Sequence, residues 1–346
     1  MQRLRLLVAP ILVSAALLLL TVPGCASTNP KAAFFVYDGS DTFITEMMDY
    51  ITSQIPKDID YVVHDAGNSQ AVQNQQIVGL IGGGYELFVI NAVDRLACSS
   101  IVEKCQQEGI AVVFFNREPL ADALTGSNAL YVGAAADSLG EKQADIVAAL
   151  FGSGGFAHSQ YDKNGDGIVQ IVILKGEQGH QDAEKRTDNC VSRLKTLGFE
   201  VEVLAVESAN WRRQEAHDAM SRLYARFGDS IELLFANNDD MALGAIDYLL
   251  SIGVFSRGAD EQPFPVVSVD GTEVGLEAVA AGLLYGTVNN DSTKQGKAIL
   301  ALLERILRGQ DLGDFPFAIT NDHYVYIDGE IITRENLDEF TRSIAQ

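Results

Sequence analysis

The stretch that decides the fold reads Asp162-Lys-Asn-Gly-Asp-Gly-Ile-Val-Gln-Ile-Val-Ile-Leu-Lys-Gly-Glu-Gln-Gly-His-Gln-Asp-Ala-Glu-Lys-Arg186. It has two halves. An oxygen-rich loop runs into an apolar strand, and a Gly-punctuated turn then opens a helix. In the loop, Asp162, Asn164 and Asp166 alternate, Gly167 permits a sharp turn, and Gln170 follows Ile168 by two positions. That is the front of an EF-hand-type calcium loop, whose hard cation takes about six to eight oxygens. Side chains at 162, 164, 166 and 170 and the carbonyl of Ile168 are the candidate donors. The closing position of an EF-hand falls on Ile173, inside the apolar run, so a helix–loop–helix hand is excluded and a distant carboxylate must complete any metal site. A polar turn before a strand reads the same residues equally well. In the second half, Asp182 and Arg186 stand four apart and share a helix face. Taken alone they read as a surface ion pair, and His180 as a structural residue.

Outward from this unit, strand and amphipathic helix alternate along the chain. Strands are expected at 33–37, 61–64, 87–90, 111–115 and 129–132, with helices at 42–55, 70–80, 95–108 and 137–151. A second series places strands at 168–174, 201–206, 233–236, 266–269, 285–288 and 324–327. Its helices are expected at 182–197, 211–227, 239–251, 272–281, 293–308 and 334–344. Repeated βα units with short loops imply α/β lobes, each a parallel sheet covered by helices. The triple glycine at 82–84 follows a helix and precedes a strand, so it is not a dinucleotide fingerprint.

The N-terminus reads as a signal peptide over residues 1–24, with Arg3 and Arg5 ahead of an apolar run at 6–22. Val22-Pro-Gly-Cys25 ends it. A cysteine after glycine is what a lipoprotein signal needs, although Pro23 is an imperfect fit. Plain secretion with Cys25 incidental is the alternative. Residues 25–32 form the expected tether.

The chain carries 25 basic and 47 acidic side chains, a net charge of −22. Without residues 1–24 it is −24, since that segment holds two arginines and no acids. This argues against nucleic acid, whose phosphates need Lys and Arg. Cys98 and Cys105 lie about 10 Å apart on one expected helix, too far for a disulfide. They read with Cys190 as packing residues.

Ligands of open α/β sheets bind beyond the carboxyl ends of strands. Those positions here hold Asp41 and Phe43, Asn116 and Glu118, His180, Asp182 and Arg186, Trp211, Asn237, Asn238 and Asp239, Asp270, and Asn289, Asn290 and Asp291. Carboxylates accept from hydroxyls, Arg donates, Asn does both, and flat rings pack on the CH faces of a pyranose. The set suits a polyhydroxyl ligand. Any single Asp or Asn among them reads equally as a helix cap.

At this point the chain resembles the galactose/glucose-binding periplasmic proteins of bacterial ABC sugar uptake. The resemblance runs from about Ala33 to Phe340. It is carried by Ser40-Asp-Thr-Phe43, Val112-Val-Phe-Phe-Asn-Arg-Glu-Pro119, the loop at 162–170, Leu174-Lys-Gly-Glu-Gln-Gly-His-Gln-Asp-Ala-Glu-Lys-Arg-Thr187, Ala236-Asn-Asn-Asp239, Val269-Asp270 and Gly286-Thr-Val-Asn-Asn-Asp291. It implies polar sugar contacts at Asp41, Asn116, His180, Asp182, Arg186, Asn238, Asp270 and Asn290. It implies ring contacts at Phe43 and Trp211. It implies Ca2+ on Asp162, Asn164, Asp166, Ile168, Gln170 and the distant Glu232. The implied fold is two-lobed, with 33–133 plus 291–318 in one lobe, 134–290 plus 319–346 in the other, and crossovers near Gly133, Asn290–Asp291 and Ile319–Asp322. The implied protein is a monomer that captures D-glucose or D-galactose for an ABC permease, with delivery to a chemoreceptor compatible. A Cys25 lipid anchor suits a lipoprotein member, exported and membrane-anchored, facing the periplasm or the cell exterior. A glycosidase using Asp41, Asp182 or Asp270 is the enzymatic alternative. A two-lobed transcription regulator is disfavoured by the export signal.

Overall fold

Residues 29–152, 155–258 and 261–344 are described by a computed structural model of the chain. The expected signal segment at 1–24 and Cys25 lie outside the described residues. The strands are β1 (Lys31–Val36), β2 (Asp60–Asp65), β3 (Leu87–Ile90), β4 (Ala111–Phe115), β5 (Leu130–Ala134), β6 (Ile168–Lys175), β7 (Glu200–Ser208), β8 (Leu233–Ala236), β9 (Val266–Asp270), β10 (Gly286–Asn289), β11 (Tyr324–Ile327) and β12 (Glu330–Thr333). The helices are α1 (Thr42–Gln54), α2 (Gln70–Leu80), α3 (Cys98–Gln107), α4 (Ala121–Leu124), α5 (Ala136–Phe151), α6 (Gln181–Thr196), α7 (Arg213–Phe227), α8 (Asp239–Ser251), α9 (Glu273–Ala280), α10 (Ser292–Leu307) and α11 (Leu337–Ile344).

The strands form two sheets, ordered β11-β5-β4-β3-β1-β2 and β12-β10-β9-β8-β6-β7. The first sheet is parallel throughout. The second is parallel except for β12, which runs antiparallel to β10. Both repeat one topology. The chain lays down a central strand and one neighbour, then crosses to build the other half. The order reverses between β1 and β3 in one sheet and between β6 and β8 in the other, which is where a crevice opens beyond the strand ends.

β6 shows why the apolar runs became central strands. Val169, Ile171, Val172, Ile173 and Leu174 are all buried, because helices cover both faces. Val172 and Leu174 join the core shared with α7 and α8, while Ile171 and Ile173 join the one shared with α5 and α6. The first sheet is likewise covered by α1 and α10 on one face and by α2, α3 and α4 on the other. The three cysteines are free and buried in these cores.

Three expectations are corrected. Residues 319–323 and β11 do not belong to the second lobe. β11 pairs in parallel with β5, Val325 and Ile327 sink into the α1/α10 core, and Phe315, Phe317 and Ile319 pack against it. The last crossover therefore falls at Asp328–Gly329, ahead of β12. The closing helix begins at Leu337 rather than 334, because Asn336 bonds Thr333 N and Ile331 O and turns the chain first. The tether is shorter than expected, since Lys31 already starts β1. β12 and the single turn α4 were not expected at all, being too short to show a period.

The helices α5 and α6 approach closely through Gly140. A Cβ there would meet Arg186 O at 2.9 Å and Asn189 Cβ at 3.1 Å. Gly140→Leu should therefore destabilise the protein by about 2 kcal/mol or more in urea unfolding, as overpacking does. An unchanged midpoint would contradict this packing.

Candidate functional site

The carboxyl ends of the two sheets face one another across a cleft. One cavity there is lined by Tyr37, Asp41, Phe43, Asn116, Arg117, His180, Asp182, Arg186, Trp211, Asn238, Asp270 and Asn290. Every residue that the resemblance assigned to sugar contacts lines it. Tyr37 and Arg117 were missed. The expected first strand at 33–37 ends on Tyr37, and nothing in the sequence marks Arg117 apart from its neighbours Asn116 and Glu118. Glu118, Asn237, Asp239, Asn289 and Asp291 also follow strands but do not line this cavity. The cavity is small, about 30 Å³, because the side chains lean on one another.

The helix α6 supplies three of the groups. His180 is its N-cap in extended conformation, and its Nδ1 accepts from Asp182 N at 3.1 Å. Asp182 and Glu184 sit in the first turn, Arg193 and Lys195 in the last, as the helix dipole favours. With Nδ1 accepting, the ring proton lies on Nε2. Burial, then the charges of Arg117, Arg186 and Arg95, holds the His180 pKa well below its usual value, so the ring is neutral.

Arg186 is 2 % exposed, not the surface residue its spacing suggested. Its Nη2 bonds Asp182 Oδ2 at 3.1 Å, and its Nη1 bonds Asn237 O at 2.8 Å and stands 3.6 Å from Asp270 Oδ1. Burial pushes the carboxyl of Asp182 up to about 6 against the pull of Arg186, and raises that of Asp270 well above its usual value. Asp41 is raised by burial too, and accepts from Tyr37 Oη at 2.5 Å and Ile44 N at 3.0 Å. The amides are oriented from behind. Asn238 caps α8 through Met241 N, Asn290 donates to Asp270 and accepts from Gln295, and Asn116 accepts from Asn91.

Several site residues take up backbone conformations uncommon for non-glycine residues, with positive φ at Asn116, Trp211 and Asp270 (58°, 68° and 131°). Such positions cost on the order of 1–3 kcal/mol each and concentrate at ligand clamps. The Trp211 ring packs on Gly176, where a Cβ would meet it at 2.3 Å, and edge-on against His180 at 5.0 Å. Three buried polar atoms of this site have no partner within the protein: Arg117 Nε, Arg186 Nε and Asp182 Oδ1.

The calcium-type loop lies away from this cavity, at the start of β6. Its acids are held by protein donors. Glu232 takes Lys163 N at 2.9 Å and Gln170 N at 3.1 Å, and Asp166 Oδ2 takes the side-chain amides of Asn164 and Gln170. Among the described residues no group of three His, Cys, Asp or Glu has metal-holding geometry. The donor chemistry nevertheless fits a hard cation. Gln170 Oε1 is buried without a donor. Burial first, and then Asp162 and Asp166 nearby, raise the pKa of Glu232. Turning the Asn164 and Gln170 amides over would present oxygens where NH2 groups now stand.

The Periplasmic binding protein domain family matches residues 32–311. The chain belongs to this periplasmic binding protein family. It is 32 % identical over 311 residues to the D-galactose/methyl-galactoside binding periplasmic protein of Haemophilus influenzae, covering 89 % of this chain and 90 % of that one. It is 26 % identical to the ribose import binding protein of Salmonella typhimurium, over 86 % of this chain and 92 % of the relative. A solved ABC transporter solute binding protein from Bacillus halodurans, with bound myo-inositol, superposes with a TM-score of 0.75 at 25 % identity, over 91 % of this chain and 98 % of the other. These relatives are binding proteins of transport, not enzymes, so the glycosidase reading is set aside. The periplasmic binding protein fold also accounts for the two facing sheets.

The raised carboxyl of Asp182 has a defined sign. The folded state holds this proton more tightly than the unfolded chain, so its contribution is fully present below about pH 4 and is lost as pH rises to about 6. Asp182→Asn should flatten that part of the stability–pH curve in denaturant unfolding without added ligand. A curve parallel to wild type between pH 4 and 6 would contradict the assignment.

Proposed function

We propose that this chain captures a hexose, D-galactose or D-glucose, between its two lobes and delivers it to an ABC permease. One observation carries the reading. Unpartnered donors on Arg117 and Arg186 and an unpartnered acceptor on Asp182 belong to residues that line the same cavity as Asp41, Asn116, Asn238, Asp270 and Asn290. A ligand that satisfies both kinds of group must donate and accept at several positions, as sugar hydroxyls do. An anion would leave Asp182 Oδ1 unsatisfied, and an apolar ligand would leave all three. Neutral His180 adds a further donor through Nε2–H. Phe43 and Trp211 offer apolar faces to the ring.

The family and the galactose-binding relative support a hexose. The ribose and myo-inositol relatives define the competitors. Catalysis has no part in this reading: each carboxylate is engaged as a hydrogen-bond or ion-pair partner, and binding itself is the signal. Sugar touching both lobes favours the closed arrangement that a permease would recognise.

Two features join the proposal. Ca2+ on Asp162, Asn164, Asp166, Ile168 O, Gln170 and Glu232 would pin the loop to the start of β8 and neutralise its carboxylates. Cys25 would carry the lipid that anchors the protein to a membrane, facing the periplasm or the cell exterior. That residue lies outside the described residues, and among the described ones no helix is long and apolar enough to cross a membrane.

Calorimetric titration with D-galactose, D-glucose, D-ribose and myo-inositol tests the ligand. One hexose should bind with unit stoichiometry and the strongest affinity, and Trp211→Ala should weaken it by about 2 kcal/mol or more. Preference for ribose or inositol would overturn the hexose assignment. For the metal, Ca2+ should raise the melting temperature of wild type but not of Glu232→Gln, with hexose affinity at 25 °C little changed in either. Equal melting temperatures with Ca2+ and with chelator would remove calcium from the account.

A further inference from the structure

Two ion pairs cross the cleft, and they differ in burial. Arg212 Nη2 meets Asp38 Oδ2 at 2.9 Å, with the arginine side chain 51 % exposed. Arg117 Nη2 meets Glu177 Oε2 at 2.7 Å, with the arginine side chain 3 % and the glutamate 36 % exposed. Arg117 follows β4 in the first lobe, and Glu177 lies in the turn after β6 in the second. The guanidinium is fixed from its own side. It stacks 3.6 Å above the centre of the Tyr37 ring, and Nη1 donates to Val93 O at 3.0 Å. Its Nε is buried without a protein partner, and Arg117 is one of the residues that line the cavity. One planar group therefore belongs to the cavity wall and also holds the opposite lobe through Nη2.

We propose that the Arg117–Glu177 pair is an electrostatic latch that sets how fast the closed lobes release their ligand. Glu177 is a positioning residue acting through Arg117, since it does not line the cavity. The pair exists only when the lobes are together. Capture begins with the cleft open, before the pair forms, so the latch has little leverage on association. Release must first separate a charge-assisted hydrogen bond whose arginine is shielded from water, so the latch acts on dissociation. Ligand contact at Nε and the Tyr37 stack hold the guanidinium plane in the orientation that Glu177 meets. Occupancy of the cavity and closure of the lobes are thereby joined in one side chain. The Arg212–Asp38 pair is too solvated to do the same.

The kinetic test rests on the hexose reading above. Stopped-flow measurement of association and release, using Trp211 emission and D-galactose or D-glucose, compares wild type with Glu177→Gln, Glu177→Asp and Arg212→Gln. Glu177→Gln should release hexose about ten-fold faster while its association rate stays within about two-fold. Glu177→Asp should fall between it and wild type, and Arg212→Gln should change release by less than about two-fold. An unchanged release rate in Glu177→Gln, or a loss confined to association, would overturn the latch. A second arm needs no ligand. Small-angle X-ray scattering of the sugar-free protein should give a larger radius of gyration for Glu177→Gln than for wild type, because fewer molecules are closed. Equal radii would overturn the latch even if hexose binds, and a larger radius would sustain it even if the ligand is another solute.

Discussion

Arg186 is the constraint around which the site is built. A guanidinium this deeply buried is tolerable only if its charge is matched and its N–H groups are used. Asp182 comes from its own helix, Asp270 from the end of β9, and the Asn237 carbonyl from the end of β8. The cation thus ties the start of α6 to two neighbouring strand ends. Its charge pulls both carboxyls down, against the burial that nevertheless leaves them raised. What remains unpartnered, Arg186 Nε and Asp182 Oδ1, is what a ligand must satisfy. The pair is at once a brace for the second lobe and half of the recognition surface.

The first lobe answers with a parallel arrangement. Asp41 is held by the Tyr37 hydroxyl and the α1 backbone, and Arg117 lies flat on the Tyr37 ring. Both halves arise from one topology used twice, which points the carboxyl ends of two parallel sheets at each other. The fold does not choose the ligand. It places the carboxyl-end segments of seven strands around one cavity, and the balance of donors, acceptors and rings on the twelve residues there makes the choice.

Much of this was legible because the signals were physical and local. A short β-branched run such as Ile171–Leu174, bounded by Gly167 and Gly176, reads as a central strand, and the residues after such a strand face the cleft or cap the next helix. What was not legible depended on direction or on distance in the chain. Asp239 and Asp270 look alike in sequence. Yet Asp239 turns inward to Ser268, Thr272 and Thr287, while Asp270 turns to Arg186 and the cavity. Arg117 was open to the rule that found Asn116, and Tyr37 ends the first expected strand, where a place in the core and a place in the cavity wall look alike. β11 was misassigned to the second lobe because nothing in Tyr-Val-Tyr-Ile names its partner; pairing with β5 is a long-range choice. The burial of Arg186 was likewise invisible from spacing alone, since an i,i+4 pair looks the same on a wet face and a dry one.

The central claim is that this cavity takes a hexose. The chain has a single tryptophan, Trp211, in the cavity wall. Its emission on titrating D-galactose and then D-glucose is therefore the most direct measurement. The account predicts a saturable change complete at one equivalent for at least one of the two sugars. No change with either, and no heat by calorimetry, would mean that the periplasmic binding fold here encloses a different solute.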